Sequence, residues 1–316
     1  MLRFALLAAL LATPAAAEEV TLRALSAFRQ GTTFYPPFQR FMDSVNAEGK
    51  GLVQIQFIGG PETMPPFEVG NALRNGVVDM ALTTAVFHAN LSPEGLAMTL
   101  TDKPIEALRA NGGYDLLNAI QERKAGIHWL GRTIDHVPYH IYLAEMPEEA
   151  DFSGMKLRST PVYQAFFRDL GAAPVQTAPG EVYTALERGV VDGYGWPAIG
   201  IFDEGWQERT AARVEPGFYS TEVGIYLGKG TWGALDDEQR AFLNTKMAAI
   251  EALNADYIAA GAAEADRLAE VGVKPVPMTP EAAAAFQDKA MTAGWDALIA
   301  ASPEDGPKLK ALFWHE

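Results

Sequence analysis

From Val20 onward, short apolar runs alternate with stretches whose apolar residues recur every three or four positions. Val20 to Leu25 reads as a strand, Phe34 to Val45 as a helix and Leu52 to Ile58 as a second strand. A helix opened by Pro66 and stopped by Gly76 then leads into a short buried strand, Val77-Val78-Asp79. The order recurs further on. Met155 to Arg158 reads as a strand, Pro161 to Leu170 as a helix and Pro174 to Gln176 as a strand, followed by a helix between Pro179 and Gly189 and the strand Val190-Val191-Asp192. Aligned at a constant offset of 113 positions, residues 66–80 and 179–193 are identical at nine of 15 places without a gap. Each half is therefore β-α-β-α-β, an alternation that predicts a parallel sheet with helices on both faces. Two such α/β lobes facing each other enclose a cleft beyond the carboxyl ends of their strands, where open sheets bind ligands.

Past the second copy the pattern changes. Thr221 to Leu227 reads as a strand, and Asp236 to Val271 runs without proline at helical spacing, with Gly261 as a candidate bend. As one helix those 36 positions would reach about 54 Å, long enough to lie along both lobes. Another helix from Pro280 to about Ala301 and a tail ending Phe313-Trp314 pack back. The expected fold is a two-lobed α/β architecture of the periplasmic-binding-protein kind with a long helix spanning both lobes. Residues 18–134 and 221–250 are assigned to the first lobe, 135–220 and 251–316 to the second.

The first 17 residues read differently. Met1 and Arg3 precede an apolar stretch, Phe4 to Ala12, and Ala15-Ala16-Ala17 supplies the small-residue site of a signal peptidase, so export to the periplasm with cleavage after Ala17 is expected. A membrane span would need about 20 apolar residues, and the stretch stops at Thr13-Pro14. With 25 Lys and Arg against 40 Asp and Glu, a formal charge of −15, the chain repels nucleic-acid backbones. With no cysteine it has no disulfide, thiolate metal site or thiol nucleophile.

Among candidate chemical groups, Arg158 stands out. Met155 and Leu157 face one side of their strand, Lys156 and Arg158 the other, and Arg158 precedes a helix that Ser159 or Thr160 can cap. A guanidinium there suits carboxylate recognition, since its planar fork can hold two oxygens. A solvated Lys/Arg pair on an edge strand fits the same pattern. His136 and His140 flank a proline that prevents both rings from sharing a helical face, and reading them as structural is the simpler account. Asp79 and Asp192 end equivalent strands, which fits turns or helix contacts better than catalysis. No nucleophile elbow, phosphate loop or dinucleotide fingerprint is present.

The runs Asp151-Phe152-Ser153-Gly154-Met155-Lys156-Leu157-Arg158, Phe167-Arg168-Asp169-Leu170-Gly171-Ala172-Ala173-Pro174 and Glu181 to Gly193 resemble the solute-binding proteins of TRAP (tripartite ATP-independent periplasmic) transporters, DctP type. Gly76-Val77-Val78-Asp79-Met80-Ala81 and the long late helix extend the resemblance over nearly the whole chain. It implies a periplasmic receptor, monomeric and not an enzyme, that closes on a small organic acid and delivers it to a membrane permease driven by an ion gradient. It implies that Arg158 pairs with the ligand's carboxylate, that Arg132 is a second ligand-facing arginine, and that Trp196 packs on the ligand. A branch of the family that holds a metal carries an acid beside this tryptophan; Gly195 stands there instead, so no metal and no cofactor is expected.

A charge-assisted hydrogen bond contributes roughly 1.5–3 kcal/mol, whereas micromolar binding needs about 8 kcal/mol. The remainder must come from enclosure. Tyr194, Phe28 and Phe87, at strand ends, are candidates to join Trp196 around the ligand. Two other readings share the cleft: a secreted two-lobed enzyme using His136, His140 or Asp192 as acid or base, and a sensor subunit. The identity of the acid is not legible.

Overall fold

The computed structural model describes residues 18–314, so the expected leader and its cleavage site lie outside the described residues. The strands, in chain order, are β1 (Val20–Ser26), β2 (Val53–Gly59), β3 (Met80–Thr83), β4 (Ile127–Ile134), β5 (Pro138–Leu143), β6 (Lys156–Ser159), β7 (Ala173–Gln176), β8 (Gly193–Pro197), β9 (Ala212–Arg213), β10 (Phe218–Ser220), β11 (Val223–Gly228) and β12 (Lys274–Pro275). One sheet has the order β2-β1-β3-β11-β4, and the other β12-β9-β5-β8-β6-β7 with β10 beside β5.

The internal repeat is visible as two parallel triplets, β2-β1-β3 and β7-β6-β8. Each is extended by antiparallel strands, β11 on β3 and β5 on β8, so the sheets are mixed rather than purely parallel. β4 and β5 were not among the expected strands. Every residue of β4 is buried, so it shows no alternation of apolar and polar positions.

The repeated Val-Val-Asp run is the lead-in to a strand, not the strand itself. Gly76 and Gly189 take the left-handed conformation, at φ 67° and 63°, which ends each helix as expected. Val77 and Val190 are then exposed while Val78 and Val191 enter the core. Asp79 and Asp192 play equivalent parts. The carboxylate of Asp79 accepts the backbone N–H of Arg23 at 2.9 Å, and that of Asp192 accepts the N–H of Lys156 at 2.7 Å. Both aspartates thus tie neighbouring strands at the end away from the cleft.

The run expected as a single helix from Asp236 to Val271 is two helices, Asp237–Glu251 and Asn254–Glu270. It still serves both lobes: the first segment lies on β4, and in the second the Glu264 carboxylate accepts the N–H groups of Gly200 and Ile201. The break falls at Ala252-Leu253, not at Gly261, which is buried inside the second helix. Its cause is local. Glu251 accepts the N–H of Arg132, and the Asn254 side chain brackets the backbone N–H and C=O of Asp135, both at 2.8 Å. The helical run therefore bends where the chain leaves β4 to cross between the sheets.

Three segments cross there. Residues 135–137 join β4 to β5, residues 221–222 join β10 to β11, and Ala252-Leu253 joins the helices. Thr221 N–H donates to Val137 O at 2.7 Å and His136 N–H to the Ser220 hydroxyl at 2.8 Å. The C-terminal helix Gly306–Phe313 packs on helix Pro280–Ala301, on helix Gly113–Lys124 and on the turn Pro93–Thr99, with Thr101 and Asn111 donating to the backbone carbonyls of Phe313 and Leu312. The tail thus reaches the first lobe, while helix Pro280–Ala301 beneath it also packs on helix Gln164–Asp169 of the second.

Candidate ligand-binding site between the lobes

Beyond the carboxyl ends of β1, β3, β6 and β8 lies a small chamber of about 30 Å³. Phe28, Phe34 and Phe87 face it from the first lobe, Arg158, Tyr163 and Trp196 from the second. It opens into an outer cleft of about 280 Å³ that shares Phe28, Phe34 and Trp196 as walls. A water needs about 10–15 Å³ on this measure, so the chamber has room for two or three such groups.

Arg158 enters it from the end of β6 and is fully buried. Its Nε and Nη2 donate to Thr177 O at 3.2 and 2.9 Å, and its Nη1 donates to the Tyr163 hydroxyl at 3.0 Å and to Gly195 O at 3.2 Å. Four of its five N–H groups are thus committed to neutral oxygens, and one on Nη2 remains. The fork is accordingly not free to take two carboxylate oxygens, contrary to the sequence expectation. Among the described residues no carboxylate lies within ion-pair distance of it, so the charge is buried without a counter-ion. The Trp196 ring centroid lies 5.5 Å from its guanidinium carbon, close enough for a cation–π contact.

The expected cap on the following helix is absent. Neither Ser159 nor Thr160 caps it through its side chain, and the chain instead makes a short turn at Pro161–Tyr163 before helix Gln164–Asp169. The Thr160 hydroxyl, released from that role, and the Thr221 hydroxyl both border the chamber and complete no hydrogen bond. Each has only a weak contact, to Tyr163 and Tyr139 respectively. The polar chamber therefore keeps one guanidinium N–H and two hydroxyls in reserve.

Glu222, at the crossing into β11, also borders the chamber and had no signal in the sequence beyond a lone acid ahead of a strand. Its Oε2 accepts from Ala85 N–H at 3.0 Å and the Thr84 hydroxyl at 3.1 Å, and the Tyr226 hydroxyl lies 2.8 Å from Oε1. Burial pushes this carboxyl up to about 7 against the pull of those donors and of Arg132. Oε1 accepts from the Tyr226 hydroxyl.

Of the other expected residues, Phe28, Phe87 and Trp196 do meet Arg158 at the chamber, whereas Tyr194 and Arg132 do not line it. Tyr194 lies two residues earlier on β8, deeper in the core, with its hydroxyl 2.7 Å from that of Thr210 and its ring stacked on Tyr142. Arg132 is buried at a separate cavity by the crossing segments, where Nη1 pairs with Asp135 and the guanidinium lies over the Trp129 ring. His136 pairs with Asp135 at 3.0 Å and His140 bonds Val214 O at 2.9 Å, each in its own surroundings. Gly195 has a steric reason: a Cβ there would meet Tyr163 Cε2 at 2.7 Å, so an acid at this position would displace the ring that positions Arg158.

The mouth of the outer cleft is held across the lobes. The Asp203 carboxylate accepts Thr33 N–H at 2.6 Å, and Arg29 reaches both Asp203 O at 3.2 Å and the Glu204 carboxylate at 3.1 Å. If closure traps ligand, Asp203→Ala should weaken binding roughly ten- to a hundredfold, the scale of one charge-assisted hydrogen bond, by favouring the open state. An unchanged affinity by titration calorimetry would deny this contact a part in closure.

Comparison with known proteins places this geometry. The profile of the DctP family, "bacterial extracellular solute-binding protein, family 7", matches residues 26–301. A Sinorhizobium fredii protein, y4mM, is 29% identical over 171 residues, covering 51% of this chain but 31% of its own length. A Roseobacter denitrificans solute-binding protein is 23% identical over 252 residues, covering 77% of each chain, and its crystal structure with bound L-galactonate has a TM-score of 0.76. A TRAP periplasmic solute-binding protein of Desulfovibrio salexigens, solved with orotic acid, has a TM-score of 0.82 at 16% identity, covering 93% of this chain and 97% of that one. With the family profile spanning most of its length, this chain belongs to the DctP family of bacterial extracellular solute-binding proteins.

Proposed function

We propose that the protein captures a small organic acid in the chamber between its lobes, with Arg158 as the charge that selects an anion, and hands it to a TRAP membrane permease. The observation that carries this reading is the buried guanidinium without a counter-ion. An unpaired buried charge is costly, and an anion in the adjoining chamber would offset that cost. Orotic acid and L-galactonate, seen in two proteins of similar fold, both present a carboxylate. The Thr160 and Thr221 hydroxyls supply further donors for its oxygens.

Binding without turnover is part of the same proposal. The groups a secreted enzyme would use lie elsewhere: Asp192 ties strands, and His136 and His140 hold Asp135 and Val214. Export with loss of residues 1–17 and delivery to the permease as a monomer complete it. Native mass spectrometry of protein recovered from the periplasm should give the mass of a monomer starting at Glu18, together with an organic acid released unchanged on denaturation. Recovery of a chemically altered acid would argue for catalysis instead.

A further inference from the structure

The buried cation Arg158 borders the chamber, whereas the outer cleft beyond it is lined mainly by aromatic and proline side chains. The chamber is bordered by Arg158, with one N–H unused, and by Thr160 and Thr221, whose hydroxyls have only a weak tyrosine contact each, in a space of about 30 Å³ that matches a single carboxylate group. The outer cleft, about nine times larger, is walled by Phe28, Phe34 and Trp196 on one side of its path and by Pro65, Pro66 and Pro179 on another. Phe28 stacks on Phe34 at 5.0 Å and Trp196 meets Phe34 edge-on at 5.7 Å, so the aromatic wall is continuous. The one polar atom of Trp196 is used up in a 3.0 Å bond to Ile199 O.

The polar groups at this cleft are partly engaged with one another. The Thr32 hydroxyl donates to Arg29 O at 2.7 Å, Asp203 accepts Thr33 N–H, and Arg29 pairs with Glu204. Against the aromatic and proline wall a polyhydroxylated body would leave its own polar groups without partners. A second carboxylate would find only Arg29, exposed to solvent and already shared with Glu204, since Arg132 lines a different cavity. It would also meet Asp203 and Glu204 outside or Glu222 inside.

We infer that the ligand is a monocarboxylate with an apolar body, aryl or branched alkyl, its carboxylate in the Arg158 chamber and its body against Phe28, Phe34 and Trp196. This inference rests on the carboxylate-receptor reading and narrows it.

The test is a calorimetric and thermal-shift comparison of wild-type protein, first freed of bound acid by unfolding and refolding, with phenylacetate, 4-methylpentanoate, succinate and L-galactonate. Phenylacetate and 4-methylpentanoate should bind at least tenfold more tightly than the other two. Succinate or L-galactonate binding as tightly as either would overturn the apolar-body inference and leave the carboxylate reading intact. Phenylacetamide, which keeps the body and loses the charge, separates the two claims. It should bind at least a hundredfold more weakly than phenylacetate, and equal binding would overturn the carboxylate reading itself. Binding of none of the four acids by refolded protein would overturn both.

Discussion

Replacing Arg158 by alanine should abolish the ligand-induced rise in melting temperature and weaken binding of a bound acid more than a hundredfold. The variant removes a charge-assisted hydrogen bond, worth roughly 1.5–3 kcal/mol, and with it the cation whose field makes the chamber a place for an anion. Ligand-free stability should change far less, because two effects oppose each other. The carbonyls of Thr177 and Gly195 and the Tyr163 hydroxyl lose their donor, but a buried uncompensated charge disappears as well. Arg158→Lys distinguishes charge from geometry. An ammonium has three donors and no planar fork, so it cannot serve Thr177, Gly195 and Tyr163 and still reach the ligand; an intermediate loss, about tenfold, is expected. If acids raise the melting temperature of Arg158→Ala as much as that of wild type, the chamber is not where they bind.

Much of this architecture was legible because a duplication writes the same pattern twice. The paired runs ending in Val-Val-Asp located two parallel triplets and hence the strand ends where Phe28, Phe87, Arg158 and Trp196 converge. The mechanism of the duplication was less legible: the aspartates read as strand ends turned out to be ties that let β3 and β8 begin one residue later. β4 and β5 escaped notice because burial on both faces erases the period-two signal on which strand recognition depends. The helix break has no glycine or proline at it; it arises from Glu251 and Asn254 reaching a segment more than a hundred residues away, which no local pattern records. Tyr194 and Arg132 failed for a related reason. Position along a strand says which face a side chain takes, but not how deep it lies or which counter-charge it finds: Tyr194 bonds Thr210 and Arg132 pairs with Asp135, both outside the chamber. Arg158 was placed by its strand, while the occupation of its fork depends on Thr177, Gly195 and Tyr163, three residues brought together only by the fold.

Acid binding should weaken as pH rises above about 7, and Glu222→Gln should remove that dependence. Below this range Glu222 is protonated and neutral, and it does not oppose an anion in the chamber. Above it the carboxylate is charged, and two like charges roughly 8 Å apart at an effective dielectric constant of about 20 repel by about 2 kcal/mol, a factor of about thirty in affinity. The fall per pH unit can be no steeper than tenfold for one titrating group. Glutamine keeps the size and an acceptor for Ala85 N–H without the charge, so its affinity should stay level between pH 6 and 9. The same group sets a stability difference whose sign follows from its raised pKa. The folded state holds the proton more tightly than the unfolded chain, so the stabilisation from protonated Glu222 is fully present below about pH 4.5 and is lost as pH climbs through about 7. The loss amounts to about 3 kcal/mol at alkaline pH, which for a chain of this size corresponds to several degrees. Melting curves of ligand-free protein should therefore show Glu222→Gln gaining on wild type between pH 5 and pH 8. Parallel curves, together with an affinity profile that keeps its slope in the variant, would mean that the titrating group is not Glu222 and that the chamber's charge balance is set elsewhere.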